Sequence, residues 1–282
     1  MNCYKALSLY CLGLLLSTGI ANTIGAPADD LTLDLGKGVT MKMVLIPAGK
    51  VMMGGNVSAV DVAKLYKAKE AHFVNEHPRH EVTISKPFYM GIYEVSQLQW
   101  RAVMGTETWK DKVAVKTGND YAASWMTWYE ANEFCEKLSK RIGKKVSLPT
   151  EAQWEYACRA GTTTVFCFGD DISKLGDYAW FQDNSRKIGE EYAHAVGQKK
   201  PNAWGLYDMH GNVWEWCKDF YAKDFYVQGG EVDPENTTEA QQRNVRGGSW
   251  HNDPRHCRSA ARNSWTGSKY VHYNYGFRVI VE

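Results

Sequence analysis

Between Leu206 and Trp216 the chain reads Leu-Tyr-Asp-Met-His-Gly-Asn-Val-Trp-Glu-Trp, a Gly-Asn turn flanked by two carboxylates and enclosed by aromatic side chains. Gly and Asn accept turn conformations at little cost, so the backbone reverses at Gly211 and Asn212. Burying Asp208 and Glu215 together without a counter-ion is costly. A hard cation such as Ca²⁺ takes that mixture of carboxylate and turn-carbonyl oxygens, although the spacing is not that of an EF-hand. The run reads as a site held within a core.

The N-terminus starts Met1-Asn-Cys-Tyr-Lys5, continues through an apolar stretch from Ala6 to Ile20, and reaches Ala26-Pro-Ala-Asp-Asp30. That order is the pattern of a secretory signal peptide, too short to span a bilayer, with small residues suited to cleavage after Ala21 or Ala26. The expected division is a signal peptide over 1–26 and one domain over 27–282, secreted or periplasmic, with no membrane span after signal removal. No linker divides residues 27–282, which suit one α+β domain of low regular secondary structure. With 33 basic and 32 acidic residues the net charge is +1, which gives no electrostatic case for nucleic acid or anionic membrane. The partner class left is a peptide, a peptide-derived metabolite or a protein, met by a monomer.

Three capping boxes announce helices, at Ser96 with Gln99, Thr127 with Glu130 and Thr150 with Gln153. Behind Thr127 the residues Trp128, Ala131, Cys135 and Leu138 share one helical face, and behind Thr150 so do Trp154, Ala157 and Cys158. Gly143 and Gly161 are the expected stops. Strands are expected over Met43 to Met52, His80 to Ile92, Val245 to Trp250 and Gly276 to Val281. From Gly161 to Arg243 the sequence lacks sustained periodicity, the kind of long irregular stretch that serves a site or is tied down by ions. The cysteines Cys135, Cys158, Cys167, Cys217 and Cys257 follow the signal segment. An odd count in an oxidising compartment leaves at least one thiol free or an intermolecular bridge.

Met43-Val-Leu-Ile-Pro-Ala-Gly, Tyr93-Glu-Val-Ser-Gln97, Leu148-Pro-Thr-Glu-Ala-Gln-Trp-Glu-Tyr-Ala, Asn202-Ala-Trp-Gly-Leu-Tyr-Asp-Met-His-Gly-Asn-Val-Trp-Glu-Trp216, Arg246-Gly-Gly-Ser-Trp250 and Gly276-Phe-Arg278 follow one another in this order. In this the chain resembles the formylglycine-generating enzyme, or sulfatase-modifying factor, family from about Met43 to Val281. The resemblance implies a single C-type-lectin-like domain stabilised by structural Ca²⁺, with a shallow groove. There, founding members oxidise a sulfatase cysteine to formylglycine, using O₂ and copper held by two cysteines.

Position by position, the resemblance places the calcium ligands at Asp208, Gly211, Val213 and Glu215. A second family calcium site falls near Trp180 and lacks its side-chain oxygen, with Asp183 or Asn184 as substitutes. The oxidase centre does not carry over, since Trp250-His-Asn-Asp-Pro-Arg-His-Cys-Arg-Ser-Ala-Ala-Arg262 has Asn252 at the first cysteine position and only Cys257 nearby. A lone thiolate provides neither two-sulfur copper geometry nor a thiol–disulfide cycle, so copper and formylglycine synthesis are not expected. The resemblance also implies a Cys158–Cys257 disulfide, preferred over a reactive Cys257 thiol, and leaves Cys135 an unpaired buried thiol.

The candidate groove is lined by Trp214, Trp250 and Asn252. Ser249, His251, Asp253, Arg255 and His256 are the candidate catalytic residues, with His251 or His256 beside Asp253 as an acid–base pair. Asp-Pro turns and Arg–Asp pairs also serve simply to fix loops. The sequence therefore supports two functions, the first preferred and the second its alternative. One is an oxidoreductase-type tailoring or maturation enzyme, similar to the periplasmic relative required for oxidative maturation of the pyoverdine chromophore. The other is a non-catalytic binding or accessory module using the lectin-like groove.

Overall fold

Pro47 and Pro87 divide what the sequence reads as two long strands into four, because a proline cannot donate to a ladder. In the computed structural model, which describes residues 31–228, 230–265 and 271–282, these are β2 (Thr40–Ile46), β3 (Gly49–Met53), β4 (His80–Ile84) and β5 (Phe88–Gly91), preceded by β1 (Leu31–Asp34). The expected signal peptide lies outside the described residues. Strands β6 (Val146–Ser147), β7 (Trp214–Phe220), β8 (Arg243–Arg246), β9 (Asn263–Trp265), β10 (Tyr275–Gly276) and β11 (Ile280–Val281) follow. One sheet has the order β1-β2-β5-β11-β6 and a second β10-β7-β8-β9, while β3 and β4 pair separately. The segment Gly276 to Val281 is thus two strands, one in each sheet, and Arg278 lies on the step between them.

Helices are α1 (Ala59–Leu65), α2 (Gln97–Met104), α3 (Trp128–Ile142), α4 (Glu151–Arg159), α5 (Leu175–Tyr178) and α6 (Phe225–Gln228). The three capping boxes form as expected at Ser96, Thr127 and Thr150. Each hydroxyl accepts an N3 amide while the N3 side chain returns to the cap N–H, satisfying two donors at the start of each helix. Gly143 ends α3 in the left-handed region. Helix α4 stops one residue before the expected Gly161, with Ala160 itself at φ 46°. The expected faces are inward: Trp128, Ala131, Cys135 and Leu138 on α3, and Trp154, Ala157 and Cys158 on α4, are buried.

Against α3, Phe134 stacks on Trp100 of α2 at 5.9 Å, and Phe277 meets both rings edge-on. Burial of these aromatics is the main hydrophobic contribution on that side. On the other side α4 packs over β3, β4, β7 and β8. Its buried acids are matched by Arg246 of β8 and Arg262 beyond it for Glu151, and by Arg246 and the helix's own Arg159 for Glu155. Removing one member of such a web leaves a charge without water or partner. Of the stretch from Gly161 to Arg243 expected to be irregular, the described chain up to β7 is so apart from α5 and short 3-10 turns, whereas β7 and α6 are regular elements that the expectation missed.

Candidate functional site

Two glycines in the left-handed region, Gly247 at φ 95° and Gly248 at φ 77°, end β8 and turn the chain into the loop that carries the candidate residues. A side chain on Gly248 would lie 2.9 Å from both the Cys257 Sγ and the His256 carbonyl, so the close return of the loop requires glycine there. Within the loop Ser249 is the hub. Its Oγ donates to the Asn252 side-chain oxygen and accepts from Asn274 Nδ2 at 2.7 Å. His272 hydrogen-bonds in turn to Asn274 Oδ1.

Asp253 caps the 3-10 turn Pro254–Cys257, accepting the Arg255 amide at 3.1 Å and meeting Arg255 Nε at 3.2 Å. Arg255 Nε also reaches His256 Nε2 at 3.1 Å, and the His256 ring stands edge-on to Trp214 at 5.9 Å. Burial holds the His256 imidazole down at about 4. Trp250 is buried against Ala122, Ala193 and Val213, while half-buried His251 lies with its ring 5.3 Å from that of Tyr273. Burial lowers the His251 imidazole too.

The structure therefore brings Ser249 to Asn252, and Trp214 to His256. Among the described residues it hydrogen-bonds neither His251 nor His256 to Asp253, whose carboxylate is occupied by its own turn. An imidazole held near 4 is a weak proton acceptor at neutral pH.

The disulfide expected between Cys158 and Cys257 is absent, and all five cysteines from Cys135 to Cys257 are free and buried. His210 touches both segments. Its Nδ1 lies 2.8 Å from the Cys257 carbonyl, while Nε2 takes the Cys167 amide at 3.1 Å and stands 3.9 Å from Cys158 Sγ. The imidazole thus links the Cys158 thiol, the Cys167 amide and the Cys257 carbonyl. Burial pushes the Cys158 thiol up to about 12, and it also raises the Cys257 thiol.

Around the Gly-Asn turn, Asp208 at φ 61° and Asn212 at φ 62° both adopt left-handed backbone, and a Cβ on Gly211 would fall 2.2 Å from the Trp180 carbonyl. Glu215 and Asp208 are buried, but they have different partners. Both Glu215 oxygens accept from Arg278, at 2.6 and 2.7 Å, and Trp154 Nε1 adds a third bond at 2.9 Å. Among the described residues the Asp208 carboxylate accepts the Gly197 amide, at 2.7 Å, and its Oδ1 is buried without a partner. Burial raises the Asp208 carboxyl to about 6.

Glu94 of the Tyr93-Glu-Val motif joins them, accepting Asn212 Nδ2 and the Val213 amide, and burial together with the Asp208 and Glu215 charges raises its carboxyl well above the ordinary range. No group of three or more His, Cys, Asp or Glu side chains is arranged as a metal cluster among the described residues. Of the two carboxylates in the four-residue calcium set, Asp208 is the one with an oxygen lacking a partner among the described residues, since Glu215 already has its counter-ion in Arg278. Near Trp180, Asn184 is hydrogen-bonded to Ala179 and Phe181, and Asp183 pairs with Lys187.

Asn274, Tyr273 and Glu94 belong to the site and were not legible as such. The Tyr-Asn-Tyr run before Gly276-Phe-Arg278 was the available signal, because its short parallel pairing with β7 sets Tyr275 opposite Trp214. Trp125 was likewise missed. It holds φ 64°, a strained backbone for a bulky residue, with its indole N–H on the Val113 carbonyl and its ring edge-on to Tyr273 at 6.3 Å.

The model of the sulfatase-modifying factor enzyme 1-like domain matches residues 35–282. The chain is 33% identical over 164 residues to the formylglycine-generating enzyme of Streptomyces coelicolor, covering 54% of this chain and 50% of that one. It is 35% identical over 158 residues to the serine/threonine-protein kinase pkn1 of Chlamydia pneumoniae, covering 54% of this chain and 23% of the kinase. The chain thus spans half or less of these relatives. Among solved structures, PvdO from Pseudomonas aeruginosa superposes with TM-score 0.75 and 26% identity, over 89% of this chain and 98% of that one. Treponema denticola variable protein 1 superposes with TM-score 0.72, 26% identity and the same coverage. With its ordered motifs, its α+β fold and a family match that runs to its last residue, the chain belongs to the sulfatase-modifying factor enzyme 1-like family.

Proposed function

We propose that this chain is a binding module of its family, which takes a polypeptide partner along the aromatic edge formed by Trp125, Tyr273 and His251 and carries out no thiol-based oxidation. One observation carries the reading: the polar residues of the loop from Ser249 to His256 bond chiefly to one another and to Asn274, while the neighbouring rings remain partly exposed. Rigid Trp and Tyr side chains give large contact area at low entropic cost, which suits polypeptide recognition. The strained backbone at Trp125 supports a constrained role for that ring.

A selection of random peptides displayed on phage against the purified protein tests this. Enriched peptides should lose binding to the Trp125→Ala and Tyr273→Ala variants. Enrichment indifferent to both substitutions, or oxygen uptake on addition of a cysteine-containing peptide, overturns it.

A second reading, the oxidoreductase-type tailoring enzyme, is supported by one feature. The hydrogen-bond chain Asn252–Ser249–Asn274–His272 is centred on two buried residues and includes the position where oxidases of the family carry a cysteine. Oxygen consumption with siderophore precursors tests it. In either reading Ca²⁺ remains a proposed structural ion, with Asp208 as its side-chain ligand and the Gly211 and Val213 carbonyls as turn donors.

A further inference from the structure

Behind the loop, on the side of Arg255 and His256, lies a cavity of about 350 Å³. That volume is within the range of small-molecule sites. Its wall is unusually basic for a protein of net charge +1, with Lys223, Arg255, Arg258 and Arg262 facing one lining acid, Glu76. Two of the cations are already neutralised. Arg258 forms two bonds of 2.6 and 2.7 Å to Glu76, and Arg262 pairs with Glu151 beneath the wall.

The other two differ. Lys223 is exposed and makes no ion pair among the described residues. Arg255 meets Asp253 and His256 through Nε only, which leaves its two terminal nitrogens without a protein acceptor among the described residues. A guanidinium with its outer edge unpaired presents the fork that fits two oxygens of a carboxylate or phosphate.

The rest of the wall suits a ligand with polar substituents. Tyr221 receives a hydrogen bond from Asn75 Nδ2 at 3.0 Å and so keeps its own proton to donate. Asn75 is 8% exposed, and its Oδ1 has no partner. That oxygen is sealed from solvent, so Asn75 orients the Tyr221 hydroxyl and does not itself meet a ligand.

We infer that this cavity is a binding site for a small ligand carrying an oxyanion group, carboxylate or phosphate, gripped by Arg255 and Lys223 with the Tyr221 hydroxyl beside them. The site is separate from the aromatic edge and does not rest on polypeptide binding there. The Arg255 and His256 side chains come from the loop itself, so occupancy of the cavity would stiffen the loop that follows β8.

Isothermal titration of the purified protein with inorganic phosphate and with citrate, at low and at moderate salt, tests the assignment and distinguishes the two oxyanion sources. Expected is saturable binding of at least one probe that weakens about tenfold or more in Arg255→Gln and in the exposed-site variant Lys223→Gln, since charged hydrogen bonds are among the stronger ones. Unchanged melting of Lys223→Gln separates a lost contact from lost folding. Absence of saturable binding by both probes, or equal binding by wild type and both variants, overturns the inference. Neither probe contains peptide or aromatic groups, so this outcome is independent of the phage selection.

Discussion

Glu215 and Arg278 meet through two hydrogen bonds, of 2.6 and 2.7 Å, with both side chains fully buried. The remaining Arg278 donors reach the carbonyls of Gly91, Ile92 and Tyr207, at 3.0, 3.2 and 2.9 Å. One guanidinium therefore ties the end of β5, the approach to the Gly-Asn turn and the start of β7. It is the positive charge facing three buried carboxylates, Glu94, Asp208 and Glu215.

Replacing Arg278 by Met is expected to lower unfolding free energy by roughly 3–5 kcal/mol, because it leaves an uncompensated buried carboxylate and frees three carbonyls. Glu215→Gln should cost less, since the amide retains an oxygen for the guanidinium. Urea unfolding measures both. A loss under about 1 kcal/mol for Arg278→Met, the range of ordinary surface changes, would show that the pair does not hold this junction.

Calcium should raise the melting temperature and a chelator should lower it, through preferential binding to the folded chain. Asp208→Asn should abolish that response, because it removes the one carboxylate whose Oδ1 has no protein partner. A response identical in wild type and variant would move the ion elsewhere.

All five buried thiols should be unreactive towards Ellman's reagent in the folded protein and titrate on unfolding, since burial raises each and disfavours the thiolate. Peptide mapping without reductant should recover Cys158 and Cys257 unlinked. A linked peptide would mean that His210 moves aside to admit the bridge.

Burial holds His210 at about 4, below its ordinary value of 6.5. The unfolded chain then takes up a proton that the folded chain refuses. The contribution of His210 is intact above pH 6.5 and is lost as pH falls towards 4, by roughly 3 kcal/mol across that window. Asp208 and Asp219, raised to about 6 and about 7, act in the opposite sense, so the stability curve alone does not isolate the ring. Its NMR titration does: the imidazole shifts should stay constant from neutral pH down to about 5, and a midpoint near the ordinary value would show an unsealed ring.

Much of the architecture could be read from local signals. Ser96, Thr127 and Thr150 carry their own start instructions in the next three residues, and the inward faces of α3 and α4 follow from 3.6-residue spacing. Strand ends were harder, because Pro47 and Pro87 interrupt runs otherwise rich in apolar and β-branched residues. The role of Glu215 was only half legible. Its burial followed from the flanking tryptophans, but its partner lies 63 positions away in sequence. Asn274 likewise lies 25 positions from Ser249, and no local pattern announced that His210 would reach both the Cys158 thiol and the Cys257 carbonyl. The side chains of the loop were readable as a set, whereas their pairing, Asp253 with its own turn rather than with a histidine, depends on the short 3-10 segment begun by Pro254.

The double glycine after β8 lets the loop leave the sheet without leaning on it, and the turn that follows is fastened by its own aspartate. Half-buried side chains such as His251 can be exchanged between these anchors while Ser249 and Trp250 stay packed and the ladder of β7, β8 and β9 keeps its register. A scaffold organised in this way can lose one reactivity and acquire another by altering a handful of codons, and its descendants can share a shape while differing in what they do.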